Sequence, residues 1–230
     1  MTYEGFCDIV KGEFPWLTDA QMEMFRRMDG LYREWNARIN VISRKDIDGF
    51  YEHHVLHSLA IASYWYREGI LTAGAVPERP LQVLDVGTGG GFPGIPLAVM
   101  CPGLCFTLCD SIGKKTLVAR EVAAALGLDN VTVVNARAES LPDTYDFVVS
   151  RAVTTLENFY PWVKDRFRGS IFYLKGGDVN AEIAQLMGRY RLKKGSVRTW
   201  RVDNWLQREY FEEKFVIQIE KDYLCSPIVE

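Results

Sequence analysis

The segment VLDVGTGGGFPGIPLAV, residues 83–99, restricts the fold more than any other part of the chain. An apolar run surrounds Asp85, glycines occupy positions 87, 89, 90 and 91, and a second apolar run follows. This order predicts a buried strand, a loop and a helix, the first unit of an open α/β sheet. Such sheets bind ligands at the carboxyl ends of their strands. Because glycine has no Cβ, a ligand can lie directly on this backbone.

Two classes of cofactor fit the glycine pattern. Gly89, Gly91 and Gly94 satisfy the GxGxxG spacing of dinucleotide-binding proteins. Asp85, Gly87, Gly89 and Gly91 instead satisfy the acid-x-Gly-x-Gly-x-Gly spacing expected of S-adenosylmethionine-dependent methyltransferases. In that second register the acid precedes the glycines, where it can meet a cationic or hydroxyl-bearing ligand.

Pro93 favours S-adenosylmethionine over a dinucleotide. In the dinucleotide register it stands where the helix should offer free N–H groups to a pyrophosphate, and proline has none. Asp110 ends the next predicted strand, at a spacing suited to a carboxylate that binds ribose hydroxyls in either class. The cofactor prediction therefore depends on Asp85 and Pro93, whereas the ribose contact of Asp110 is common to both.

The pattern of apolar residues changes near residue 79. Residues 1–78 carry helical patterns, at 18–40 and 48–69, and predict an N-terminal helical extension. Residues 79–230 alternate short β-branched runs with helical patterns and end in two alternating segments, which predicts a mostly parallel sheet with an antiparallel last strand. Strands are expected at 81–87, 104–111, 131–136, 145–152, 169–177, 196–202 and 213–222, and helices at 95–100, 113–128 and 154–167.

Charge and composition limit the partners. The formal net charge of −3 argues against a general, charge-driven nucleic-acid binder. The run QLMGRYRLKKGSVRTWR, residues 185–201, holds basic and aromatic residues without an acid; Arg189, Lys193 and Lys194 are candidates for phosphate contacts, and a solvated helix face is the alternative. The start of the chain does not resemble a signal peptide and no segment is long enough to span a bilayer, so a cytoplasmic protein is expected.

A family resemblance adds to these inferences. The runs LDVGTGGGFPGIPLAV, FTLCDSIGKKTLVAREVAAALGLDNVTVVNARAESL, YDFVVSRAV and YLKGG resemble the bacterial glucose-inhibited division protein B family of 16S ribosomal RNA guanine-N7 methyltransferases. YREWNARINVIS and HHVLHSLA extend the resemblance towards the N-terminus. It implies a Rossmann-like class I methyltransferase fold, S-adenosylmethionine as cofactor with S-adenosylhomocysteine as product, and 16S ribosomal RNA or the small ribosomal subunit as partner. A monomer is expected.

The resemblance also implies roles for individual residues. Gly87 and Phe92 would line the methionine and adenosine part of the cofactor, Asp110 would bind the ribose, and Ala138 and Glu139 would hold the adenine edge. Two cations would orient the reactants electrostatically: Arg151, which also approaches the cofactor, and Lys175. Further cations would face the RNA, namely Lys114, Lys115 and Lys214.

The chain departs from the family pattern at a few positions. His57 stands in HHVLHS where the family commonly has aspartate, and Lys214 stands where arginine is usual. His53 and His57 are spaced i, i+4 on a predicted helix, but without a third ligand a metal site is not expected. His54 matches the family's histidine and is expected to support helix packing or the RNA side of the cleft.

Guanine N7 suits a chain in which no general base stands out. N7 carries an available lone pair, so orientation and electrostatics can supply most of the acceleration without proton removal. We expect the guanine to be single-stranded or flipped and stacked on an aromatic side chain from NFYPW, residues 158–162, or from the N-terminal helices. A methyltransferase acting on a small molecule and a dinucleotide-binding oxidoreductase-like protein remain the alternatives.

Overall fold

The N-terminal third of the chain is helical. The computed structural model describes residues 1–43, 45–73 and 79–221. Helices α1 (Tyr3–Glu13) and α2 (Asp19–Arg38) precede a 3₁₀ turn (Ile47–Gly49), a π-helical segment (Phe50–Leu56) and α3 (His57–Arg67). Thr18 begins α2 with a capping box, because its hydroxyl accepts from the Gln21 amide and the Gln21 side chain accepts from the Thr18 amide.

Strands and helices alternate through the rest of the described chain. The strands are β1 (Gln82–Val86), β2 (Cys105–Asp110), β3 (Val131–Asn135), β4 (Tyr145–Arg151), β5 (Phe167–Gly176), β6 (Val197–Arg201) and β7 (Lys214–Glu220). The helices between them are α4 (Gly94–Met100), α5 (Gly113–Leu126), α6 (Leu156–Val163) and α7 (Asn180–Tyr190). Short 3₁₀ turns lie at Ala138–Ser140, Val202–Asn204 and Glu209–Phe211.

The seven strands form one sheet in the order β3-β2-β1-β4-β5-β7-β6. Strands β1 to β5 are parallel, and β7 is antiparallel to both β5 and β6. The strand order reverses between β1 and β4, so the segments that follow these two strands lead to opposite faces of the sheet and leave a crevice for a ligand. The predicted mostly parallel sheet with an antiparallel last strand is confirmed.

Both faces of the sheet are covered by helices. Successive residues of β1 point to opposite faces: Val83 joins a core formed with α1 to α5, and Leu84 joins a second core formed with α6 and α7. The first core contains Phe6, Phe25 and Trp65 from the N-terminal helices together with sheet residues. The predicted boundary between residues 78 and 79 falls at 74–78, outside the described residues, and remains a prediction.

Three local features differ from the sequence-based expectation. Helix α1 was not predicted at all, and the single helix expected at 48–69 is divided into 3₁₀, π and α segments. Helix α7, Asn180–Tyr190, was not among the predicted helices, whereas β6 lies within the strand expected at 196–202. Propensity does not distinguish π from α turns, so the division at residue 56 had no signal in the sequence.

Tyr32 ties the N-terminal helices to the glycine loop. Its ring is fully buried and its hydroxyl donates to the Gly90 carbonyl at 2.8 Å. We expect Tyr32→Phe to lower the free energy of unfolding by about 1 kcal/mol, because the Gly90 carbonyl loses a buried partner. Urea denaturation measures the change. Tyr66→Phe is the matched control, since its hydroxyl contacts the sulfur of Cys101 at 3.8 Å and not a buried carbonyl. Equal losses in the two variants would contradict the role of the Tyr32 bond.

Candidate active site

The glycine loop begins where β1 ends. The amides of Gly87 and Thr88 donate to the Cys109 carbonyl at 2.8 and 3.1 Å, which turns the chain sharply over the end of β2. Gly87 has φ +69°, in the left-handed region that favours glycine. A Cβ on Gly87 would lie 2.3 Å from Cγ1 of Val153. The loop therefore requires glycine at position 87 for both conformation and space.

Asp85 stabilises the glycine loop from the protein interior. Its side chain is fully buried, and Oδ2 accepts from the Thr88 hydroxyl at 2.6 Å and from the Gly94 amide at 2.8 Å. Burial raises the pKa of Asp85 to about 7, although the bonds from Thr88 and Gly94 favour the ionised form. The carboxylate points into the loop rather than into a cavity, so the structure gives Asp85 a supporting position where the sequence suggested a direct ligand contact.

The Asp85 contact also bears on the choice of cofactor. A dinucleotide pyrophosphate would need the amides at the start of α4, and the Gly94 amide is already bound to the Asp85 carboxylate. Pro93, which precedes α4, offers no N–H. The start of α4 therefore lacks the free donors of a dinucleotide site.

A cavity of about 330 Å³ opens beside the loop, at the carboxyl ends of β1, β2 and β3. Asp110 lies at its centre: its Oδ2 accepts from the Gly89 amide at 2.9 Å and its Oδ1 from the Ile112 amide at 2.8 Å. Because a carboxylate has about four lone-pair sites, Asp110 retains acceptor capacity for ligand hydroxyls. We call this the cofactor cavity; its lining is Val86, Gly87, Cys109, Asp110, Ser111, Ile112, Ala136, Arg137, Ala138, Glu139, Val153 and Trp162.

The lining of the cofactor cavity fits S-adenosylmethionine. Asp110 supplies an acceptor for ribose hydroxyls, and Gly87 lets a ligand approach the backbone. Ile112 and Val153 are two large apolar side chains left exposed, 48% and 36%, and both line this cavity, which suits the faces of an adenine ring.

Most, but not all, of the predicted cofactor residues line the cofactor cavity. Gly87, Asp110, Ala138 and Glu139 do. Gly89 and Gly91 shape the loop with positive φ angles, and Phe92 is buried against Tyr32. Their predicted contacts with the cofactor therefore stay predictions. The sequence reasoning did not identify Ile112, Val153 and Trp162, because isolated apolar residues after strands carry no distinctive signal.

A second cavity, of about 250 Å³, lies beside the carboxyl ends of β4 and β5. The short segment Arg151–Val153 separates it from the cofactor cavity, since Arg151 and Ala152 line one and Val153 lines the other. Ala152 has φ +45°, a conformation that costs a non-glycine residue about 1–3 kcal/mol and concentrates at functional sites. We call it the histidine cavity; its lining is Asp46, His53, His54, His57, Arg151, Ala152, Leu174, Lys175, Gly176, Tyr210 and Lys214.

Arg151 is held in the histidine cavity by the π-helical segment. Its guanidinium donates to the His53 carbonyl at 3.1 Å, contacts Nδ1 of His54 at 3.1 Å, and lies 5.3 Å from the centroid of the Phe92 ring. Because π turns widen the helix, consecutive residues of this segment present a carbonyl and a ring nitrogen to the same cation. Arg151, predicted to orient the reactants and to approach the cofactor, thus lines the cavity next to the cofactor cavity.

Two of the three histidines of this cavity, His54 and His57, lie in surroundings that disfavour protonation. Burial, reinforced by the Arg151 charge, lowers the pKa of His54 to about 3 and lowers that of His57 well below its ordinary value. Burial also lowers the pKa of Arg151. Since Nδ1 of His54 faces guanidinium donors, it acts as the acceptor of that contact.

The low pKa of His54 makes the stability of the protein depend on pH. Between pH 6.5 and 3 the unfolded chain binds a proton at this position that the folded protein does not, so stability present above pH 6.5 is lost as the pH falls. His54→Asn keeps an acceptor in place of Nδ1 and does not titrate. Between pH 6.5 and 4.5, we expect the free energy of unfolding of the wild type to fall by about 2–3 kcal/mol more than that of this variant. Urea denaturation at both pH values measures the difference, and parallel losses would contradict the assignment.

The predicted cations separate into two groups. Lys114 and Lys115 lie at the start of α5, next to the cofactor cavity, and Lys175 and Lys214 line the histidine cavity. The Lys175 ammonium donates to the Thr154 carbonyl at 3.1 Å and pairs with Glu182 at 2.9 Å. These lysines are all at the carboxyl edge of the sheet, as the proposed roles require.

The cations of the basic run lie elsewhere. Lys193 and Lys194 precede β6. The first residue of β6 pairs with Ile219 of β7, and Ile219 pairs with Ile171 in the first half of β5. The two lysines therefore lie towards the edge of the sheet opposite to the carboxyl ends of the parallel strands. Arg189 pairs with Glu157 at 2.6 Å. The structure thus separates Lys193 and Lys194 from both cavities, and their RNA contacts remain a prediction.

Two of the aromatic residues that the sequence suggested for stacking on a base are buried. Phe159 and Tyr160 of the NFYPW stretch are buried in the core, so they cannot stack on a base, and Trp162 lines the cofactor cavity. The histidine cavity instead offers Tyr210, whose ring is stacked on His53 at a centroid distance of 3.9 Å. Tyr210 lies in a 3₁₀ turn between β6 and β7, where the sequence reasoning had identified no site.

Within residues 1–43, 45–73 and 79–221 there is no group of three or more His, Cys, Asp or Glu side chains that could hold a metal ion. None of the helices in the described part of the chain is long and apolar enough to cross a membrane.

Comparison with known proteins decides the family. The family GidB, rRNA small subunit methyltransferase G, matches residues 21–208. The chain belongs to this family. It is 42% identical over 224 residues to the ribosomal RNA small subunit methyltransferase G of Christiangramia forsetii, covering 94% of this chain and 98% of that protein. It is 44% identical over 222 residues to the protein of the same name from Porphyromonas gingivalis, covering 92% of each.

The fold is shared more widely than the sequence. Magnesium protoporphyrin IX methyltransferase from Synechocystis PCC 6803, solved with bound S-adenosylmethionine, has a TM-score of 0.59 and 15% identity, covering 89% of this chain and 98% of that one. Together with GidB membership, this confirms the predicted family, the Rossmann-like fold, the assignment as a methyltransferase and S-adenosylmethionine as the cofactor.

Proposed function

We propose that this GidB protein transfers a methyl group from S-adenosylmethionine to N7 of a guanosine in 16S ribosomal RNA, with S-adenosylhomocysteine as the product. The observation that carries the proposal is the pair of cavities on either side of Arg151–Val153. One offers the acceptors and apolar walls that suit the cofactor, and the other offers cations that suit RNA. The names of the family and of its relatives, which specify small-subunit ribosomal RNA, agree with this arrangement.

The residues have distinct tasks in the proposed reaction. The bound cofactor supplies an electrophilic methyl group on a sulfonium. Gly87 and Asp110 position that cofactor through backbone access and hydroxyl contacts. Arg151 and Lys175 orient the RNA at the adjoining cavity by charge and directed hydrogen bonds, at positions fixed by His54 and Glu182.

The weak basicity of the buried imidazoles is consistent with N7 as the acceptor atom. With a pKa of about 3, His54 is a poor proton acceptor near neutral pH. Guanine N7 carries a free lone pair and loses no proton before attack. The chemistry of this acceptor therefore needs positioning and electrostatics rather than a tuned base.

We further infer that the protein is a cytoplasmic monomer that acts on free 16S RNA or on the small-subunit particle. Four large apolar side chains are exposed in the described residues, and two of them line the cofactor cavity, which leaves little apolar surface for a stable dimer. Light scattering coupled to gel filtration tests the monomer, and parallel assays on RNA and particles distinguish the substrates.

The test of the proposed activity is a methyl-transfer assay. The protein is incubated with S-adenosylmethionine labelled in the methyl group and with 16S RNA from cells that lack the protein, and the digested nucleosides are separated. We expect label in 7-methylguanosine. Label in another nucleoside would refute the acceptor atom, and transfer only to small molecules from an extract would refute the RNA substrate.

A thermal-shift measurement distinguishes a methyltransferase from a dinucleotide-binding protein. S-adenosylhomocysteine is expected to raise the melting temperature, because a ligand that binds only the folded state stabilises it. NAD serves as the comparison ligand. Stabilisation by NAD alone would favour the dinucleotide-binding alternative and overturn the proposal.

A further inference from the structure

The histidine cavity carries an excess of positive charge. Its lining holds three cations, Arg151, Lys175 and Lys214, and one carboxylate, Asp46. Lys175 is paired with Glu182, and Asp46 is bound by the Ser43 hydroxyl at 2.6 Å and lies 3.4 Å from His53. Among the described ion pairs, neither Arg151 nor Lys214 has a carboxylate partner. With Glu182 counted, three cations face two carboxylates, so one positive charge is in excess at this cavity, and Arg151 and Lys214 lack a direct ion pair.

The contacts of Arg151 leave part of its guanidinium free. Two of its five N–H donors are directed at the His53 carbonyl and at the His54 ring. Burying a guanidinium among neutral acceptors costs free energy unless an anion accepts hydrogen bonds from its remaining donors. The remaining donors of Arg151 thus suit the planar array of oxygens on a phosphate.

Lys214 reaches the same cavity from β7. Its ammonium lies 5.2 Å from the centroid of the Tyr210 ring and directly over the backbone of Gly176, where an added Cβ would come within 2.9 Å of Nζ. The ring and the backbone hold the ammonium in place without neutralising its charge. Lys214 and Arg151 therefore present two fixed positive charges to one space.

His57 lines the same cavity and offers no negative charge to the two cations. It is buried, and its Nε2 has no hydrogen-bond partner among the described residues. Burial lowers the pKa of His57, and the nearby charges of Arg151 and Lys214 lower it further. His57 therefore does not compensate the positive charge of Arg151 and Lys214.

The shape of the surface indicates where the anion comes from. A wider groove of about 670 Å³ shares His53 and Tyr210 with the histidine cavity and continues along Glu52, Gln207, Arg208 and Glu209. A polymer lying in this groove can direct one of its groups into the cavity, whereas the cofactor cavity lies across the Arg151–Val153 segment. The groove supplies access and not charge, since its Arg208 is paired with Glu52. Access from this open side suits a polymer such as the RNA backbone as the source of the anion.

We propose that the histidine cavity binds one phosphate group of the RNA substrate through Arg151 and Lys214, beside His57. The inference rests on the proposed RNA substrate. It extends that function by assigning a single backbone phosphate, rather than a diffuse basic surface, to the cavity beside the cofactor.

The first test uses inorganic phosphate and the full chain. Protein with isotope-labelled histidine is titrated with phosphate at constant ionic strength, with chloride as the comparison salt, while the histidine ring signals are followed by NMR. We expect saturable shifts of the His54 and His57 signals in the wild type and in Lys214→Arg. We expect them to be lost in Lys214→Met, which removes a cation, and in His57→Asp, which adds a carboxylate.

The same titration has outcomes that would overturn the inference. Shifts of equal size with chloride, or shifts retained in Lys214→Met, would show that the cavity is not an anion site. Loss of the shifts when the protein is saturated with S-adenosylhomocysteine would show that the cations serve the cofactor carboxylate instead. His57→Asn, neutral like the native residue, should behave as the wild type, which separates a charge effect from a folding defect.

The second test measures RNA binding at several salt concentrations. Loss of one phosphate contact should reduce the slope of log affinity against log salt by about 0.7 for Lys214→Met, since the contacted RNA is single-stranded. It should weaken RNA binding about ten-fold and leave the affinity for S-adenosylhomocysteine unchanged. An unchanged slope would overturn the assignment of a phosphate.

Failure of this inference is distinguishable from failure of the proposed function. Phosphate binding to the free protein requires no methyl transfer. Lys214-dependent phosphate binding without 7-methylguanosine formation would refute the function alone. If the protein forms 7-methylguanosine, and Lys214→Met has the RNA affinity and the salt slope of the wild type, the phosphate site alone would be refuted.

Discussion

Gly87→Ala is expected to weaken binding of S-adenosylhomocysteine about 100-fold, because two costs add at this position. A left-handed conformation, φ +69° here, costs an L-residue about 1–2 kcal/mol. The new methyl group would also lie 2.3 Å from Cγ1 of Val153, a stiff β-branched side chain that lines the cofactor cavity. Either Val153 moves into the cavity or the loop shifts away from the ligand. Isothermal titration calorimetry measures the loss.

The matched control for this substitution is Gly103→Ala. Gly103 lies in the turn before β2, has no atom within 4 Å of an added Cβ and does not have a left-handed φ. The Gly103→Ala variant should therefore bind S-adenosylhomocysteine as the wild type does. The double variant Gly87→Ala/Val153→Ala should recover part of the affinity, because it removes the clash and keeps the backbone strain. Wild-type affinity in Gly87→Ala would contradict the position of the cofactor on this loop.

Arg151→Met is expected to reduce the rate of methyl transfer roughly 10²–10³-fold, the usual effect of removing a preorganised charged group beside a reacting centre. Methionine preserves much of the stem that packs over Phe92 and loses the bonds to His53 and His54. Because Arg151 lines the histidine cavity and not the cofactor cavity, affinity for S-adenosylhomocysteine should remain unchanged. Single-turnover kinetics and calorimetry give the two quantities separately.

Two comparison variants sharpen the Arg151 experiment. Arg151→Lys keeps the charge but cannot reproduce the planar donor geometry, so it should recover only part of the rate. Arg67→Met removes an arginine paired with Glu13, away from both cavities, and should retain the wild-type rate. A parallel loss of cofactor affinity in Arg151→Met would instead support the second predicted role of Arg151, a direct contact with the cofactor.

The glycine loop shows which features a sequence can predict. Four glycines after a short apolar run leave few physical alternatives, since each glycine gives up a side chain that would otherwise pack. The alternation of strand and helix patterns after residue 79 likewise predicted the sheet and its antiparallel last strand, which the structure confirms. Gly87 and Asp110 were predicted at the cavity because the carboxyl ends of parallel strands share one edge.

The direction of a side chain was harder to predict. Asp85 was expected to meet the ligand, but its carboxylate turns inward to Thr88 and the Gly94 amide. Lys193 and Lys194 belong to the most basic stretch of the chain, yet the register of β6 places them at the edge opposite the cavities. Strand register and rotamer depend on distant partners, which a local pattern does not contain.

The histidine cavity depends on contacts between distant parts of the sequence. Tyr210 contacts His53 across 157 positions, and Arg151 contacts His54 across 97. The π-helical turns that bring the His53 carbonyl and the His54 ring to one guanidinium have no signature in residue type. The sequence identified the histidines and Arg151 individually, but only the fold brings them together.

The most direct test of the proposed activity is nucleoside analysis of 16S ribosomal RNA from cells. The RNA is purified from a strain lacking the protein and from the same strain supplied with the wild type, Gly87→Ala or Gly103→Ala. We expect 7-methylguanosine to be reduced in the deleted strain, restored by the wild type and by Gly103→Ala, and not restored by Gly87→Ala. An unchanged 7-methylguanosine content in the deleted strain would contradict the proposed function.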